Sequence, residues 1–347
     1  MMPGVLFVGN LAAAPDANPP VCLDLARLLS GDGWRVIETS RKHAVAARLY
    51  DMVHTAWRTR GDYQVAHIDV FSGRAFLWAE AVSLAVAQAR KPYVLTLRGG
   101  RLPEFSSTCQ RRVRRLLGGA SAVTAPSRYL VDQMSSYRSD TQLLPNPLNV
   151  NRYPFRRRRP VEPKLVWLRA FHSYYNPALA VMAFAEIARD NAEAKLAMVG
   201  PDKGDGSLPK VKELMHELRL GGLVSLPGPI PKTEVPIRLS ESDIFLNTAD
   251  FDNTPVSVLE ALACGLVVIS TNVGGIPYLL EHGRDALLIP PNDPEALVRA
   301  IRLVLHEPDL AATLSENGRR KAEQLDWSAV LPQWKSLLLA SAGAGSL

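Results

Sequence analysis

Residues 164–199, KLVWLRAFHSYYNPALAVMAFAEIARDNAEAKLAMV, contain two short apolar runs separated by a longer helical pattern. The runs KLVWL (164–168) and KLAMV (195–199) have the length and apolar character of buried strands. Two strands joined through a helix must be parallel, because the crossover returns the chain to the same edge of the sheet. This stretch therefore predicts a parallel α/β unit.

The same alternation runs through the whole chain. Helical patterns such as 21–30 and 75–90 separate short apolar runs. Two series of such runs predict two Rossmann-like, doubly wound domains, with their ligand sites facing across a cleft. The predicted strands are 5–8, 34–38, 64–68, 93–97, 122–125 and 142–145 in the first series, and 164–168, 195–199, 223–226, 243–247, 266–270 and 286–289 in the second.

The break between the two series is NRYPFRRRRPVEPK, residues 151–164, which is rich in Pro and Arg and has no periodicity. It predicts an N-terminal domain of residues 1–155, a C-terminal domain of residues 156–326, and a last helical stretch, 327–347, that can pack on either domain. The four consecutive arginines, Arg156 to Arg159, are interpreted as a solvated hinge rather than a binding patch.

Composition and charge limit the class of protein. The 347 residues are 47% hydrophobic and 21% charged, with only three cysteines, far apart and without CxxC spacing. A disulfide framework and a zinc site are therefore not expected. Residues 1–160 hold 23 Lys and Arg against 11 Asp and Glu, whereas the remainder holds 17 against 23. No apolar run reaches the length of a membrane span. The sequence predicts a cytoplasmic protein that can touch the inner face of a membrane through its basic half.

The stretch DNTPVSVLEALACG, residues 252–265, places two carboxylates around a helix start. Thr254 is the predicted N-cap and Pro255 the first helical residue. The free N–H groups at Val256 and Ser257 and the helix dipole then form a phosphate site. Glu260, deeper in the helix, suits a ribose, and Asp252 suits a second sugar, so the segment fits a nucleotide diphosphate-sugar. The alternative is an ordinary capped helix with two solvent-facing acids.

The next predicted strand ends in STNVGGIPYLL, where Gly274 and Gly275 allow a tight turn close to a ligand. With this turn, the sequence resembles the retaining glycosyltransferases of family 4, which have the GT-B arrangement of two Rossmann-like domains. The segments that carry the resemblance are 127–130, 143–155, 167–177, 198–206, 226–236 and 252–297, in the order expected for that family.

The resemblance implies a role for particular residues. Glu260 would bind the donor ribose, Asp252 would lie by the transferred sugar, and Arg169 would flank the diphosphate. The segment GPIPK, 228–232, would lie near the base, and the N-terminal domain would bind the acceptor. The implied donor-binding residues are Glu260, Asn253, Thr254, Pro255, Val256, Arg169, Lys203, Gly274, Gly275 and Asn176, and the implied catalytic residues are Asp252, Arg98 and Arg169.

Three positions depart from the family pattern. The first acid is Asp252 where glutamate is usual, and Asn176 stands near the place of an expected lysine, for which Lys203 is a candidate substitute. Arg98, in TLRGG, stands where a histidine is frequent. A guanidinium cannot act as a general base because its pKa is above about 12, but it can hold a phosphate or an anionic sugar. On the acceptor side we expect Gly9, Asn10, Gly99 and Gly100.

Other classes are less well supported. The first strand is not followed by GxGxxG, and GPDKGDG (200–206) lacks P-loop spacing. The segment CQRRVRRLLGG, 109–119, predicts either an interfacial helix on a membrane or an amphipathic helix packed on its own sheet. No nucleic-acid motif appears. The expected activity is metal-independent and cofactor-free transfer from a UDP- or GDP-sugar to a glycan or lipid-linked acceptor, with retention. The alternatives are a nucleotide-sugar 2-epimerase and an inactive sugar-nucleotide-binding protein.

Overall fold

The computed structural model describes residues 2–9, 11, 21–42 and 44–344. The chain divides into two compact units. Unit 1 comprises Met1–Pro147 and Trp327–Leu347, and unit 2 comprises Leu148–Asp326. Residues 148–155, assigned to the first domain on sequence grounds, therefore belong to unit 2. The N–H of Leu148 donates to the carbonyl of Leu325 at 2.9 Å, which ties this segment to the end of unit 2.

Unit 1 contains a six-stranded sheet in which all neighbouring strands are parallel, in the order β2-β1-β3-β4-β5-β6. Its elements are β1 (Gly4–Val8), α1 (Val21–Gly31), β2 (Arg35–Glu38), α2 (Val45–Arg58), β3 (Val65–Val70), α3 (Phe76–Gln88), β4 (Tyr93–Leu97), α4 (Leu102–Thr108), α5 (Gln110–Gly118), β5 (Ala122–Ala125), α6 (Arg128–Met134) and β6 (Gln142–Leu143).

Unit 2 contains a second six-stranded parallel sheet, in the order β12-β11-β10-β7-β8-β9. Its elements are β7 (Lys164–Leu168), α7 (Pro177–Asp190), β8 (Lys195–Val199), α8 (Ser207–Glu217), β9 (Val224–Gly228), α9 (Val235–Ser240), β10 (Ile244–Asn247), α10 (Val256–Ala263), β11 (Val267–Thr271), α11 (Ile276–Leu279), β12 (Leu287–Ile289), α12 (Pro294–His306) and α13 (Pro308–Gln324). The last helix of the chain, α14 (Trp327–Ala344), belongs to unit 1.

The twelve predicted strands are confirmed, with ends that differ by at most two residues. The reason is burial on both faces. In a parallel sheet covered by helices, strands read as continuous apolar runs, which stand out from the amphipathic helices between them. The fold class predicted from the sequence, two doubly wound α/β domains, is the one observed.

The helices of unit 1 cover both faces of its sheet. One apolar cluster joins β3 and β4 to α3 and α5. The other joins Val5 and Phe7 of β1 to α1 and to α14, which contributes Val330, Trp334 and Leu338. The C-terminal helix therefore completes the core of the unit in which the chain begins.

A histidine lies at the centre of this second cluster. His67 of β3 is fully buried between the rings of Phe7 and Trp334, at centroid distances of 5.1 and 5.2 Å. Its Nε2 is 2.8 Å from the hydroxyl of Thr96, and its Nδ1 has no hydrogen-bond partner among the described residues. Burial lowers the pKa of His67 to about 4, so the ring is neutral in the folded protein at pH 7.

The folded protein is expected to lose stability between pH 6.5 and pH 4 because of His67. Above pH 6.5 the imidazole is neutral in both states and contributes nothing. Below it, the unfolded chain binds a proton that the folded chain excludes, which costs about 2 kcal/mol of unfolding free energy between pH 7 and pH 5. Urea unfolding at both pH values measures this loss. His67→Phe should remove it, whereas the exposed control His54→Phe should retain it; an equal loss in His67→Phe and the wild type would contradict the assignment.

The arginine run, Arg156 to Arg159, lies within unit 2 and is not a solvated hinge. Arg158 is fully buried, and it donates to the carbonyls of Cys264 at 2.6 Å and Ser242 at 2.8 Å. Its Nε lies 3.4 Å from the carboxylate of Asp243, and burial lowers its pKa to about 10. An arginine is rarely buried unless several acceptors surround it. The acceptors of Arg158 come from distant parts of the sequence, so the local sequence pattern did not reveal its burial and the hinge interpretation failed.

The flanking arginines of the run are about half exposed and ion-paired within unit 2. Arg156 pairs with Asp243, Arg157 with Glu316, and Arg159 with Asp309 at 2.7 Å. The four arginines therefore anchor the segment that precedes β7 to the rest of unit 2.

The basic helix α5 packs on its own unit. Val113, Leu116 and Leu117 are buried in the core, so of the two alternatives the amphipathic helix packed on its own sheet is the one observed. Arg112 forms two hydrogen bonds with Glu80, at 3.0 and 2.5 Å. The interfacial interpretation is thus wrong for that face. Within the described ranges, no helix is long and apolar enough to cross a bilayer.

Candidate active site

The strand order of unit 2 locates its ligand site. From one edge the order is β9-β8-β7-β10-β11-β12, so strands that follow β7 are added first on one side of it and then, from β10 onward, on the other side. The switch point lies between the parallel neighbours β7 and β10. Ligands of doubly wound sheets bind at the carboxyl ends of the strands at this switch point. Arg169 follows β7 directly, and the loop containing Asp252 follows β10. The fold therefore brings together two of the three predicted catalytic residues.

Arg169 and Asp252 form an ion pair through Nη2 of the guanidinium. Only 15% of the Arg169 side chain and 10% of the Asp252 side chain are exposed. The guanidinium lies 4.2 Å from the centroid of the Tyr175 ring, and its Nε has no hydrogen-bond partner among the described residues. Burial raises the pKa of the Asp252 carboxyl, and the charge of Arg169 opposes this rise. The arrangement holds a cation in a fixed place with one donor unused.

Helix α10 starts one residue later than predicted. Pro255 is extended, with φ −70° and ψ 119°, so it is the N-cap, and no side chain caps the helix. The prediction of Thr254 as N-cap failed because a proline φ fits both an extended residue and the first helical residue, and only ψ distinguishes them. The first N–H groups to reach the Pro255 carbonyl are those of Val258 and Leu259.

The amides of Val256 and Ser257 therefore precede the hydrogen-bonded part of the helix, as an anion site requires. Two hydroxyls beside them are buried and lack partners in the described part of the chain, namely Thr254 Oγ1 and Ser257 Oγ. Buried hydroxyls are rarely left without a partner, so these two atoms are available to bind a water molecule or a polar ligand.

The predicted glycine turn packs directly on this loop. Gly274 has φ +54°, and a Cβ added there would lie 2.1 Å from the carbonyl oxygen of Asp252. A Cβ on Gly275 would lie 2.2 Å from the carbonyl oxygen of Asn253, and the Gly275 N–H donates to the Asp252 carbonyl at 2.9 Å. Only glycine fits at either position, and the turn fixes the backbone that carries Asp252.

Glu260 of α10 is 1% exposed and does not face solvent. Its Oε1 accepts a hydrogen bond from the phenol of Tyr153 at 2.7 Å and forms an ion pair with Lys232. Sequence reasoning missed both partners. Lys232 lies within the GPIPK segment that the resemblance placed near the base, and that proximity was the only signal for it. Tyr153 lies in segment 143–155, which carries the resemblance, but no role was predicted for it.

Asn176 and Lys203 have different environments. Asn176 caps α7 by accepting from the Leu179 N–H at 3.4 Å, and its amide donates to Asp250 at 3.2 Å and Asn292 at 2.7 Å. Lys203 is exposed on the loop after β8, where its N–H donates to the carbonyl of Phe171 at 3.1 Å. Asn176 thus organises the loop next to Arg169.

The predicted residues of unit 1 follow β1 and β4. Arg98 follows β4 and donates to Asp69 at 2.9 Å and to the side chain of Asn146 at 2.6 Å, which leaves 12% of its side chain exposed. Gly9 is buried beside Asp69, and Gly99 and Gly100 form the turn after Arg98. Asn10 lies outside the described residues. Asp69 and Asn146 therefore hold the guanidinium of Arg98 in place, and the sequence analysis predicted neither of these partners.

No group of three or more His, Cys, Asp or Glu side chains placed to hold a metal ion occurs across residues 2–9, 11, 21–42 and 44–344.

The fold is that of the GT-B glycosyltransferases. The chain is similar to HepE of Anabaena, solved in complex with UDP and glucose, with a TM-score of 0.78 and 18% identity over 97% of this chain and 100% of that one. It is also similar to sucrose-phosphate synthase from Thermosynechococcus elongatus, with a TM-score of 0.80 and 19% identity over 99% of this chain and 100% of that one.

Residues 154–321 match the model of the family glycosyl transferases group 1. This match takes in most of unit 2 and just under half of the chain. A curated relative is the putative colanic acid biosynthesis glycosyltransferase WcaL of Salmonella typhimurium, 31% identical over 139 residues, or 37% of this chain and 34% of that protein. The chain thus spans about a third of the length of WcaL.

Proposed function

We propose that the protein is a glycosyltransferase that moves a sugar from a nucleotide diphosphate-sugar, UDP- or GDP-linked, to an acceptor hydroxyl with retention. The observation that carries the proposal is the grouping, at the switch point of unit 2, of the Arg169 cation, the amides that begin α10, and the buried Glu260. These groups match the diphosphate and the ribose of such a donor. The family match of unit 2 and the UDP bound by HepE support it.

Cleavage of the bond between sugar and phosphate places negative charge on the leaving diphosphate. A fixed guanidinium and free helix amides stabilise that charge more in the transition state than in the ground state. Arg169 is already held in place by Tyr175 and Asp252, so little reorganisation is needed. Asp252 lies at the same place, where it would meet the hydroxyls of the transferred sugar. No metal ion or cofactor takes part in the proposed reaction.

The acceptor is assigned to unit 1, at the carboxyl ends of β1 and β4. Arg98 is held there by Asp69 and Asn146, so it is suited to bind an anionic group rather than to move a proton. The relatives named for colanic acid synthesis support polysaccharide assembly as the pathway. A glycan or lipid-linked acceptor fits that pathway.

Calorimetry of the full chain with UDP, GDP and their hexose derivatives tests the donor site. We expect at least one nucleotide to bind and to raise the unfolding temperature, since a ligand that binds only the folded state stabilises it. Incubation with the bound nucleotide sugar and no acceptor should leave the sugar unchanged. A new epimeric sugar nucleotide would instead identify a 2-epimerase, and binding without transfer to any acceptor would identify an inactive binding protein.

A further inference from the structure

Lys232 reaches the donor site from a different part of the sheet. It lies in the loop between β9 and α9, and its ammonium group contacts Oε1 of Glu260 on α10. The Lys232 side chain is 24% exposed, whereas the Glu260 side chain is 2% exposed. The lysine therefore lies nearer to solvent and the carboxylate lies deeper.

The second partner of Glu260 comes from the segment that precedes β7. Tyr153 is 4% exposed and donates its phenol to Oε1 of Glu260 at 2.7 Å. Its own backbone is fixed, because its carbonyl accepts from Arg319 at 3.0 Å and its N–H donates to Val150 at 3.0 Å. Glu260 is thus held from two directions by groups that share one carboxylate oxygen.

A buried carboxylate needs such support to accept hydrogen bonds from sugar hydroxyls. Without a counter-charge, burial favours its protonated form, which would offer a donor where an acceptor is required. Two contacts on Oε1 also fix the plane of the carboxylate and so set the direction of Oε2. A site with a fixed acceptor distinguishes a ligand that carries the matching hydroxyl from one that lacks it more strongly than a site whose acceptor can rotate.

We propose that Lys232 is a positioning residue for the ribose of the donor: it keeps Glu260 ionised and oriented so that Oε2 accepts from the ribose hydroxyls. The proposal rests on the donor site proposed above. It differs from a direct contact of Lys232 with phosphate or base, since a direct contact would strengthen binding whether or not the nucleotide carries its ribose hydroxyls.

The test is calorimetry of UDP or GDP, whichever binds the wild type more tightly, against its 2′,3′-dideoxy counterpart. Hydrogen bonds to a charged group predict that the wild type prefers the ribonucleotide by about tenfold or more. In Lys232→Met this preference should fall to about threefold or less, with the affinity for the dideoxynucleotide unchanged. Lys232→Arg, which keeps the charge, should restore much of the preference.

Two further variants guard against a general effect on folding. Tyr153→Phe removes the second contact with one oxygen atom and should reduce the ribose preference in part. Lys164→Met removes an exposed lysine of the same unit, paired with Glu162, and should change nothing. Thermal unfolding of each variant reports whether it is folded. If Lys232→Met is not folded, the ribose preferences of Tyr153→Phe and Lys232→Arg decide the test.

The outcomes separate this inference from the proposed function. A wild type that binds neither nucleotide would overturn both. Nucleotide binding with a full ribose preference retained in Lys232→Met, or an equal loss of affinity for both nucleotides, would overturn the role of Lys232 alone.

Discussion

Replacement of Arg169 by alanine is expected to lower the turnover of sugar transfer by about 10²- to 10³-fold. The guanidinium is the cation held at the switch point between β7 and β10, where the leaving diphosphate is proposed to lie. Loss of one preorganised donor to a developing negative charge costs about 3–4 kcal/mol of transition-state stabilisation. The measurement is the initial rate at saturating donor, with the apparent Michaelis constant recorded beside it.

The alanine variant also leaves Asp252 buried without its counter-charge. Burial already raises the pKa of Asp252, and Arg169 is the main opposing influence, so the pKa should rise further in the variant. Arg169→Lys retains a charge and should recover part of the turnover. Arg302→Ala, an exposed arginine of unit 2 paired with Asp190, is the matched control and should be fully active. Equal rates for Arg169→Ala and the parent would refute the leaving-group role.

Replacement of Arg158 by methionine should destabilise the protein by about 3–5 kcal/mol. The side chain is fully buried, and its removal takes from the carbonyls of Cys264 and Ser242 their shortest hydrogen bonds, whereas Asp243 keeps its ion pair with Arg156. Removing a donor from a buried acceptor costs about 1–3 kcal/mol, and the loss of a buried ion-pair partner adds to this cost. Methionine preserves most of the volume, so the loss reports the polar contacts rather than a cavity.

The neighbouring arginine provides the control. Arg157 is about half exposed and paired with Glu316, so Arg157→Met should change the unfolding free energy by less than about 1 kcal/mol. Urea unfolding of the full chain, followed by circular dichroism, compares the two variants with the wild type. Similar midpoints for Arg158→Met and Arg157→Met would show that the buried contacts contribute little.

The sequence predicted the sheets well because a strand covered on both faces is apolar throughout, as in KLVWL and KLAMV. Through its resemblance to the family 4 glycosyltransferases it also grouped Arg169, Asp252 and the glycine turn in one site. It did not predict the support of Glu260. Tyr153 lies 107 residues away along the chain and contacts it only after unit 2 has folded. No local pattern carries that information.

The failed hinge interpretation of the arginine run and the alternatives left open for α5 share a cause. Arg158 reads as solvated because charged residues usually are, and the apolar face of α5 reads equally well as facing a membrane or a core. In both cases the deciding partners are distant in sequence: Ser242 and Cys264 for Arg158, and the helices and strands of unit 1 for Val113 and Leu117.

The two ends of unit 2 lie side by side. Leu148 forms a parallel bridge with Asp326, and the carboxylate of Asp326 accepts from the Val150 N–H at 2.9 Å. Unit 2 is thus one continuous segment inserted into unit 1 between β6 and α14, and its first and last residues are hydrogen-bonded to each other. We therefore expect that unit 2 can be replaced by the corresponding domain of a relative, joined at these two neighbouring positions, without a change in the strand order of the unit 1 sheet.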